Sequence, residues 1–447
     1  MKSDILVIGG GASGLMAALQ AARSLSAEGR CATVTVLEKM PRPARKLMIT
    51  GKGRCNFTNL KEWNDFSAHV RAGSRFVKSA WYGFSSADVC SFFEREGVPV
   101  VVERGDRAFP ASHRASDIVD ALVRACKGAG VRIETDAEVS SVEALPDGGG
   151  FRLSAADGRI WSCLRLILAT GGLSYPSSGS SGDGFRWSQE LGHSLEPVFP
   201  SLTALVPRGY KQEAAEDAAL RHHIDRETPL APLGERLCGV SLKNVSVRLL
   251  VEGTVAGTEF GDIDFTDGGI EGPVGFQLSR KAVKSMLGGS RVALVLDLKP
   301  GVPLAELSAR VQALMQEVAL DRRSARLGDK EKGRILLGKL MPWVLIPGFV
   351  AMHGRLSDPA LIAAALKEWR FDLAGFVGYE RAVVTAGGVC TQEVIAKTMA
   401  SRLVPGLYFC GEILDIDSDT GGYNLQTAFS TGALAGRSAA ASLSNSL

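Results

Sequence analysis

Three glycine-bearing clusters hold the residues whose types and spacing could do chemistry. The first is Gly9-x-Gly11-x-x-Gly14, with Ala12 and Ser13 between the last two glycines. In this spacing the first glycine allows a tight turn, the second lets a pyrophosphate approach the backbone, and the third lets a helix sit close on a strand. The helix start then offers unpaired N–H groups and a positive dipole end to phosphates. Glu38 lies 24 residues past Gly14, followed by Lys39. A carboxylate there accepts hydrogen bonds from ribose hydroxyls.

That unit serves FAD and NAD alike, so other residues must choose. The second cluster is Ala169-Thr170-Gly171-Gly172 after the apolar run Leu164–Leu168. It comes where two-part FAD domains bring a strand end back to the cofactor, and as a bare pattern it equally fits an ordinary strand exit. The third runs from Gly411-Glu412-Ile413-Leu414-Asp415 to Gly422-Tyr423-Asn424-Leu425. A carboxylate at a strand end suits the ribityl hydroxyls of a flavin. A helix beginning near Asn424 would stabilise negative charge on the flavin pyrimidine ring. A nicotinamide domain needs neither feature, so the third cluster favours FAD. Nothing marks a covalent flavin attachment.

The elements that must position these clusters follow from hydrophobic period. Ile5–Ile8 reads as a buried strand, Leu15–Leu25 as an alanine-rich helix and Thr33–Leu37 as a second, parallel strand. Residues 40–60 read as a long loop, 117–130 as a helix, and 131–133, 138–142 and 164–168 as strands. Past residue 200 the texture changes to antiparallel strands at 244–251 and 263–265, then a helical spacing through Leu304, Leu307, Val311, Leu314 and Val318. Another helix is expected at 361–369. Glycine-rich strand texture returns near Gly378. The layout expected is an FAD domain over 1–199 and 379–447, interrupted by an insert over 200–378 that covers the substrate.

Composition excludes several classes. The chain has 447 residues, 45% hydrophobic and 22% charged, with 51 glycines. That is globular composition and excludes a disordered or collagen-like chain. Net charge is +3, which gives no footprint of a dedicated nucleic-acid binder. The eight cysteines are scattered with no C-x-x-C pair, so a reduced, cytoplasmic chain without a structural metal is expected. No run is long and apolar enough for a membrane span or a signal peptide.

The segment Lys46-Leu47-Met48-Ile49-Thr50-Gly51-Lys52-Gly53-Arg54-Cys55-Asn56-Phe57-Thr58-Asn59 resembles a signature of a bacterial FAD-dependent flavoprotein family. This is the aminoacetone-oxidase-like, NAD(P)/FAD-dependent oxidoreductase family that includes the flavoproteins of bile-acid dehydroxylation. Residues 103–110, 169–176, 182–184, 385–389 and 404–426 are similar to it as well. The resemblance implies an α/β fold: a glutathione-reductase-type, Rossmann-like FAD domain interrupted by an insert with a small β-barrel and a helical part. It also implies FAD contacts at Gly9, Gly11, Ala12, Ser13, Gly14, Glu38 and Lys39. Lys46, Gly53, Arg54 and Asn56 would follow the pyrophosphate, and Lys46 and Arg54 suit it because phosphates need positive partners. Val139 would offer its backbone to adenine, Glu412 would take the ribityl chain, and Gly422, Asn424 and Leu425 the pyrimidine ring. Asp267 stands where the family usually has His.

Other residues read as structural. Cys55 and Cys390 read as packed thiols; His113, Tyr175 and Tyr423, the best placed acid/base groups, read as structural hydrogen-bonders. His222 and His223 read as surface, and the run Arg322, Arg323, Arg326, Lys330, Lys332, Arg334 as a solvated face. The catalytic residue and oligomeric state are left open. The function expected is FAD-dependent hydride transfer through flavin N5 to or from a small organic substrate. It is either amine or alcohol oxidation with oxygen, or reduction of a conjugated C=C with NAD(P)H bound transiently in the substrate cleft. Alternatives are an FAD-dependent RNA-modifying enzyme and a non-catalytic flavin sensor. No nucleic-acid or membrane partner is expected.

Overall fold

A computed structural model describes residues 1–212, 222–321 and 326–443. The chain divides into two compact units, Met1–Phe199 with Val383–Leu447, and Pro200–Ala382. In the first unit, the strand β1 (Lys2–Ile8) is apolar and buried over its last four residues, Ile5 to Ile8, as a strand covered on both faces must be. It pairs in parallel with β2 (Val34–Leu37) and with the strand Ile160–Leu168. The strands Arg132–Glu134 and Leu407–Phe409 extend this parallel core at its two sides. The strands Val139–Ala144 and Phe151–Ala155 add an antiparallel flap.

The helix α1 (Ala12–Ala27) leaves the glycine turn and packs on the last helix, Tyr423–Leu443. Small residues let the two backbones approach. A Cβ at Gly432 would lie 2.3 Å from the Ser13 carbonyl oxygen, and one at Gly436 would lie 2.0 Å from that of Ala17. The obstruction is backbone and cannot swing aside. Gly436→Val is therefore expected to cost more than the ~1–3 kcal/mol of ordinary overpacking; a thermal melt of the apoprotein unchanged from wild type would contradict this packing.

The second unit closes a six-stranded barrel. Its strands run Leu205–Pro207, Gly269–Glu271, Thr254–Thr266, Ser241–Val251, Val292–Asp297 and Trp369–Val377, and the last pairs back with the first. Every junction is antiparallel. Alternation explains the closure: Trp369, Phe371 and Leu373 are buried from one strand, and the first two meet the Phe265 ring. Helices Leu304–Leu320, Asp329–Leu340, Ile346–His353 and Pro359–Lys367 form the helical part.

Several local expectations shift. Residues 40–60 are not all loop, because Arg45–Ile49 forms a helical turn. The helix expected to run to Trp369 ends at Lys367, and Trp369 opens a barrel strand. The charged stretch 321–333 leads into a helix from Asp329. Arg322 and Arg323 lie outside the described residues. His223 is exposed and pairs with Glu380 at 3.6 Å. Among the described residues no helix is long and apolar enough to cross a membrane, and no group of three His, Cys, Asp or Glu could hold a metal.

Candidate dinucleotide site

The three glycine clusters meet at the C-terminal ends of the parallel strands, where open α/β sheets bind ligands. A Cβ at Gly9 would lie 2.4 Å from the Ala169 carbonyl oxygen, and one at Gly14 would lie 1.9 Å from that of Gly9. These two glycines serve packing. A Cβ at Gly11 would meet nothing within 4 Å, so the second glycine faces open space beside the N-terminus of α1. Ala169 donates its N–H to the Ile8 carbonyl at 2.9 Å, and Cys410 donates to the Leu168 carbonyl at 3.1 Å. Ser13, buried on the first turn of α1, fills the space that a Cβ on Gly411 would need, at 2.4 Å.

Glu38 is buried at the end of β2. Its carboxylate accepts the Gly10 N–H and the Met40 N–H, each at 2.8 Å. A carboxylate has about four lone-pair positions, so acceptor capacity remains for ribose hydroxyls. Burial pushes the Glu38 carboxyl above its ordinary value of 4.5, against the pull of the two N–H groups and of Lys39 and Arg45. The chain between Glu134 and Val139 lies on this residue: Glu38 donates to the Glu134 carbonyl at 2.8 Å, and Ala137 donates to the Glu38 carbonyl at 2.9 Å. Val139 is buried at the start of its strand. Lys39 turns to Asp183 at 2.9 Å and also donates to Ser181.

Glu412 ties three distant segments together. Its Oε1 accepts the Thr385 N–H at 2.7 Å, and its Oε2 accepts Lys46 Nζ at 2.7 Å. Gly171 lies alongside, where a Cβ would come 3.8 Å from Glu412 Oε2. Thr170 packs its hydroxyl toward Gly184. The Asp415 N–H is taken by the Val389 carbonyl at 3.0 Å.

Gly422 presses on the signature segment: a Cβ there would lie 2.4 Å from the Thr58 carbonyl oxygen and 2.9 Å from Asn56 Oδ1. Asn56 Oδ1 is buried and has no hydrogen-bond partner. The Asn424 side chain is spent on the loop before it, accepting the Ser418 N–H at 2.9 Å and donating to the carbonyls of Ser418 and Asp419 at 2.9 and 3.1 Å. Leu425 is half-buried beside it. Gly53 is half-exposed, with open space around it. Arg54 pairs with Glu103, donates to His113 Nδ1 at 2.9 Å and lies over the Phe109 ring.

Some contributors had little sequence signal. Thr385 also accepts N–H bonds from Leu173 and Ser174 at 2.8 and 3.1 Å, which fixes the chain leaving Gly171. Asp419 is buried and accepts Arg71 Nε and Nη2, both at 2.6 Å, and His69 Nδ1 at 2.9 Å. His69 in turn stacks on Tyr423, the first residue of the last helix. A separation of 350 residues hides that cluster from any local pattern. Burial pushes the Cys55 and Cys410 thiols up to about 12. At neutral pH neither is a thiolate, the form that attacks or exchanges. Tyr175 occupies a left-handed turn position, with φ of 53°.

These residues fit FAD. The open space at Gly11 suits a pyrophosphate, Glu38 a ribose, and Glu412 a polyol chain. The orphaned Asn56 oxygen beside Gly422 is an acceptor awaiting a donor.

The profile of the HI0933-like protein Rossmann domain matches residues 3–438. The 3-dehydro-bile acid Δ(4,6)-reductase of Clostridium scindens is 31% identical, covering 97% of this chain and 98% of that protein. The ribosomal RNA dihydrouridine synthase of Escherichia coli is 30% identical, covering 96% of each chain. Among solved structures, the 3-ketosteroid Δ4-(5α)-dehydrogenase of Rhodococcus jostii is similar in fold, with a TM-score of 0.51 at 16% identity, covering 98% of this chain and 97% of that one. With its strand-end glycine crevice and a family match along nearly its whole length, the chain belongs to the HI0933-like family of Rossmann-domain, FAD-dependent oxidoreductases.

Proposed function

We propose that the protein reduces a carbon–carbon double bond conjugated to a carbonyl group on a small organic substrate, with NAD(P)H as a transient electron donor. One observation carries this reading: two relatives that match nearly the whole chain are named for the same kind of reaction on unlike molecules. A Δ4 bond beside a 3-oxo group is such a bond. Dihydrouridine is uridine in which a ring C=C beside a carbonyl has been saturated. The common element is the reaction class.

FAD, when bound, supplies reversible hydride transfer; the protein supplies orientation and charge. Glu38 would anchor the adenosine ribose, and the open backbone at Gly11 would admit the pyrophosphate. Glu412, held by Lys46 and by the Thr385 N–H, would present a fixed acceptor to the ribityl hydroxyls. The first turn of the last helix leaves N–H groups without intrahelical partners, and these favour negative charge nearby. The sequence has a single strand–glycine–helix fingerprint, which supports nicotinamide visiting the substrate cleft rather than a site of its own.

The test is anaerobic stopped-flow. NAD(P)H is expected to bleach the bound flavin, and a 3-oxo-Δ4 steroid or a uracil-containing substrate to restore its colour, with ping-pong steady-state kinetics. Flavin that is bleached instead by an amine or alcohol, and recoloured only by oxygen with release of hydrogen peroxide, would replace this reading with an oxidase.

A further inference from the structure

The net charge of +3 is small for the whole chain, but residues 326–339 hold five cations against two carboxylates. Lys339 pairs with Glu317 at 2.8 Å. Glu331 turns back to accept the Gly328 N–H at 2.8 Å and caps its own helix. Arg326, Lys330 and Arg334 are exposed, Lys332 is half-exposed, and none of the four has a carboxylate partner among the described residues.

Their arrangement is regular. Lys330, Arg334 and Gly338 follow one another at four-residue steps, so they line one face of the helix Asp329–Leu340. At the end of that row lies an aromatic ring. A Cβ on Gly338 would come 2.5 Å from the Trp343 indole, so the ring rests on the bare glycine. Trp343 is nevertheless 55% exposed. A row of unpaired cations ending in an accessible indole is what single-stranded nucleic acid uses: cations take the phosphates and a base stacks on the ring.

We propose that Lys330, Arg334 and Trp343 form a docking surface for a single-stranded polynucleotide. A lipid surface fits less well. Of the four apolar residues of this helix, Leu336 and Leu340 are buried and Ile335 and Leu337 half-buried, so none is fully exposed, whereas a helix lying on a membrane turns its apolar side outward.

The test is fluorescence anisotropy of a labelled single-stranded oligouridylate with the FAD-loaded, oxidised full chain over a range of salt. Binding is read without turnover, so a failed reductase assay leaves this result standing, and the converse holds. With two phosphates neutralised, by Lys330 and Arg334, the slope of log affinity against log salt is expected at about −1.4. The double variant Lys330→Gln/Arg334→Gln should lose about 1.4 from that slope. Trp343→Ala should weaken binding about tenfold with the slope unchanged, and Trp343→Phe should keep most of it. Absence of saturable binding, or binding indifferent to both sets of substitutions, would overturn the proposal. So would tight binding of phosphatidylglycerol vesicles that the same substitutions abolish.

Discussion

Gly11→Ala is expected to yield a folded, colourless protein. The backbone at Gly11 is extended, with φ of −81° and ψ of −170°, a conformation any residue adopts. A Cβ there meets nothing within 4 Å. The apoprotein should therefore melt within about 0.5 kcal/mol of wild type, as surface substitutions do. The methyl group would nonetheless project into the crevice where the pyrophosphate must reach the backbone. Loss of that approach should weaken FAD by at least about 100-fold, or ~2.7 kcal/mol. Gly14→Ala supplies the contrast: its Cβ would lie 1.9 Å from the Gly9 carbonyl oxygen, so the strand–helix junction itself should fail. Circular dichroism melts and flavin content of the two purified variants separate these outcomes. A yellow Gly11→Ala protein of normal FAD affinity would show that the cofactor lies elsewhere.

Glu38→Ala should damage both cofactor binding and fold. Charge-assisted hydrogen bonds to the ribose are worth roughly 1.5–3 kcal/mol, which is about 10- to 100-fold in FAD affinity. Removing the carboxylate also strands the Gly10 and Met40 N–H groups that it now accepts, at about 1–3 kcal/mol for a buried donor left unsatisfied. The wild-type protein should show a related pH dependence. Burial raises the Glu38 carboxyl above 4.5 in the apoprotein, so for this group the folded state holds its proton more firmly than the unfolded chain does. Its contribution to apoprotein stability is fully present below 4.5 and is lost as pH rises through the raised value. Ribose hydroxyls donate to the ionised form and draw its pKa back down. FAD should thus bind with proton release, and affinity should fall as pH drops through the raised value. Titration calorimetry in buffers of different ionisation enthalpy counts that proton. A pH-independent affinity, or the same dependence in Glu38→Ala, would remove Glu38 from the ribose.

The nucleotide half of the fold was legible because its signals are local. Ile5–Ile8, the glycine turn and the alanine-rich α1 follow one another, and each leaves a pattern within a dozen residues. The family signature at 46–59 and the closing run at 404–426 gave the resemblance that implied the interrupted domain and its barrel. The barrel itself was only half visible: the strands at 241–251 and 254–266 alternate, whereas Leu205–Pro207 and Gly269–Glu271 are three residues each. Segments so short carry no period, and closure depends on Trp369–Val377 pairing back across the unit.

The sequence by itself determined a dinucleotide crevice, a carboxylate at the end of β2 and a family. Those depend on residue type within short stretches, where backbone geometry follows from composition. Tertiary structure alone decided which partners each charged group takes. Lys46, read from sequence as a phosphate ligand, is joined to Glu412, and Arg54 is joined to Glu103 and His113. It also decided that Gly9 and Gly14 face backbone while Gly11 faces space. A net charge of +3 likewise averages away a local excess that becomes a surface only when a helix sets Lys330 and Arg334 in one row and folds Trp343 onto Gly338. The physical reason is common to all of these. Ion pairs and close packing act over a few ångströms in space, and the order of the chain does not record which groups come that near, whether five residues apart like Gly9 and Gly14 or 366 apart like Lys46 and Glu412.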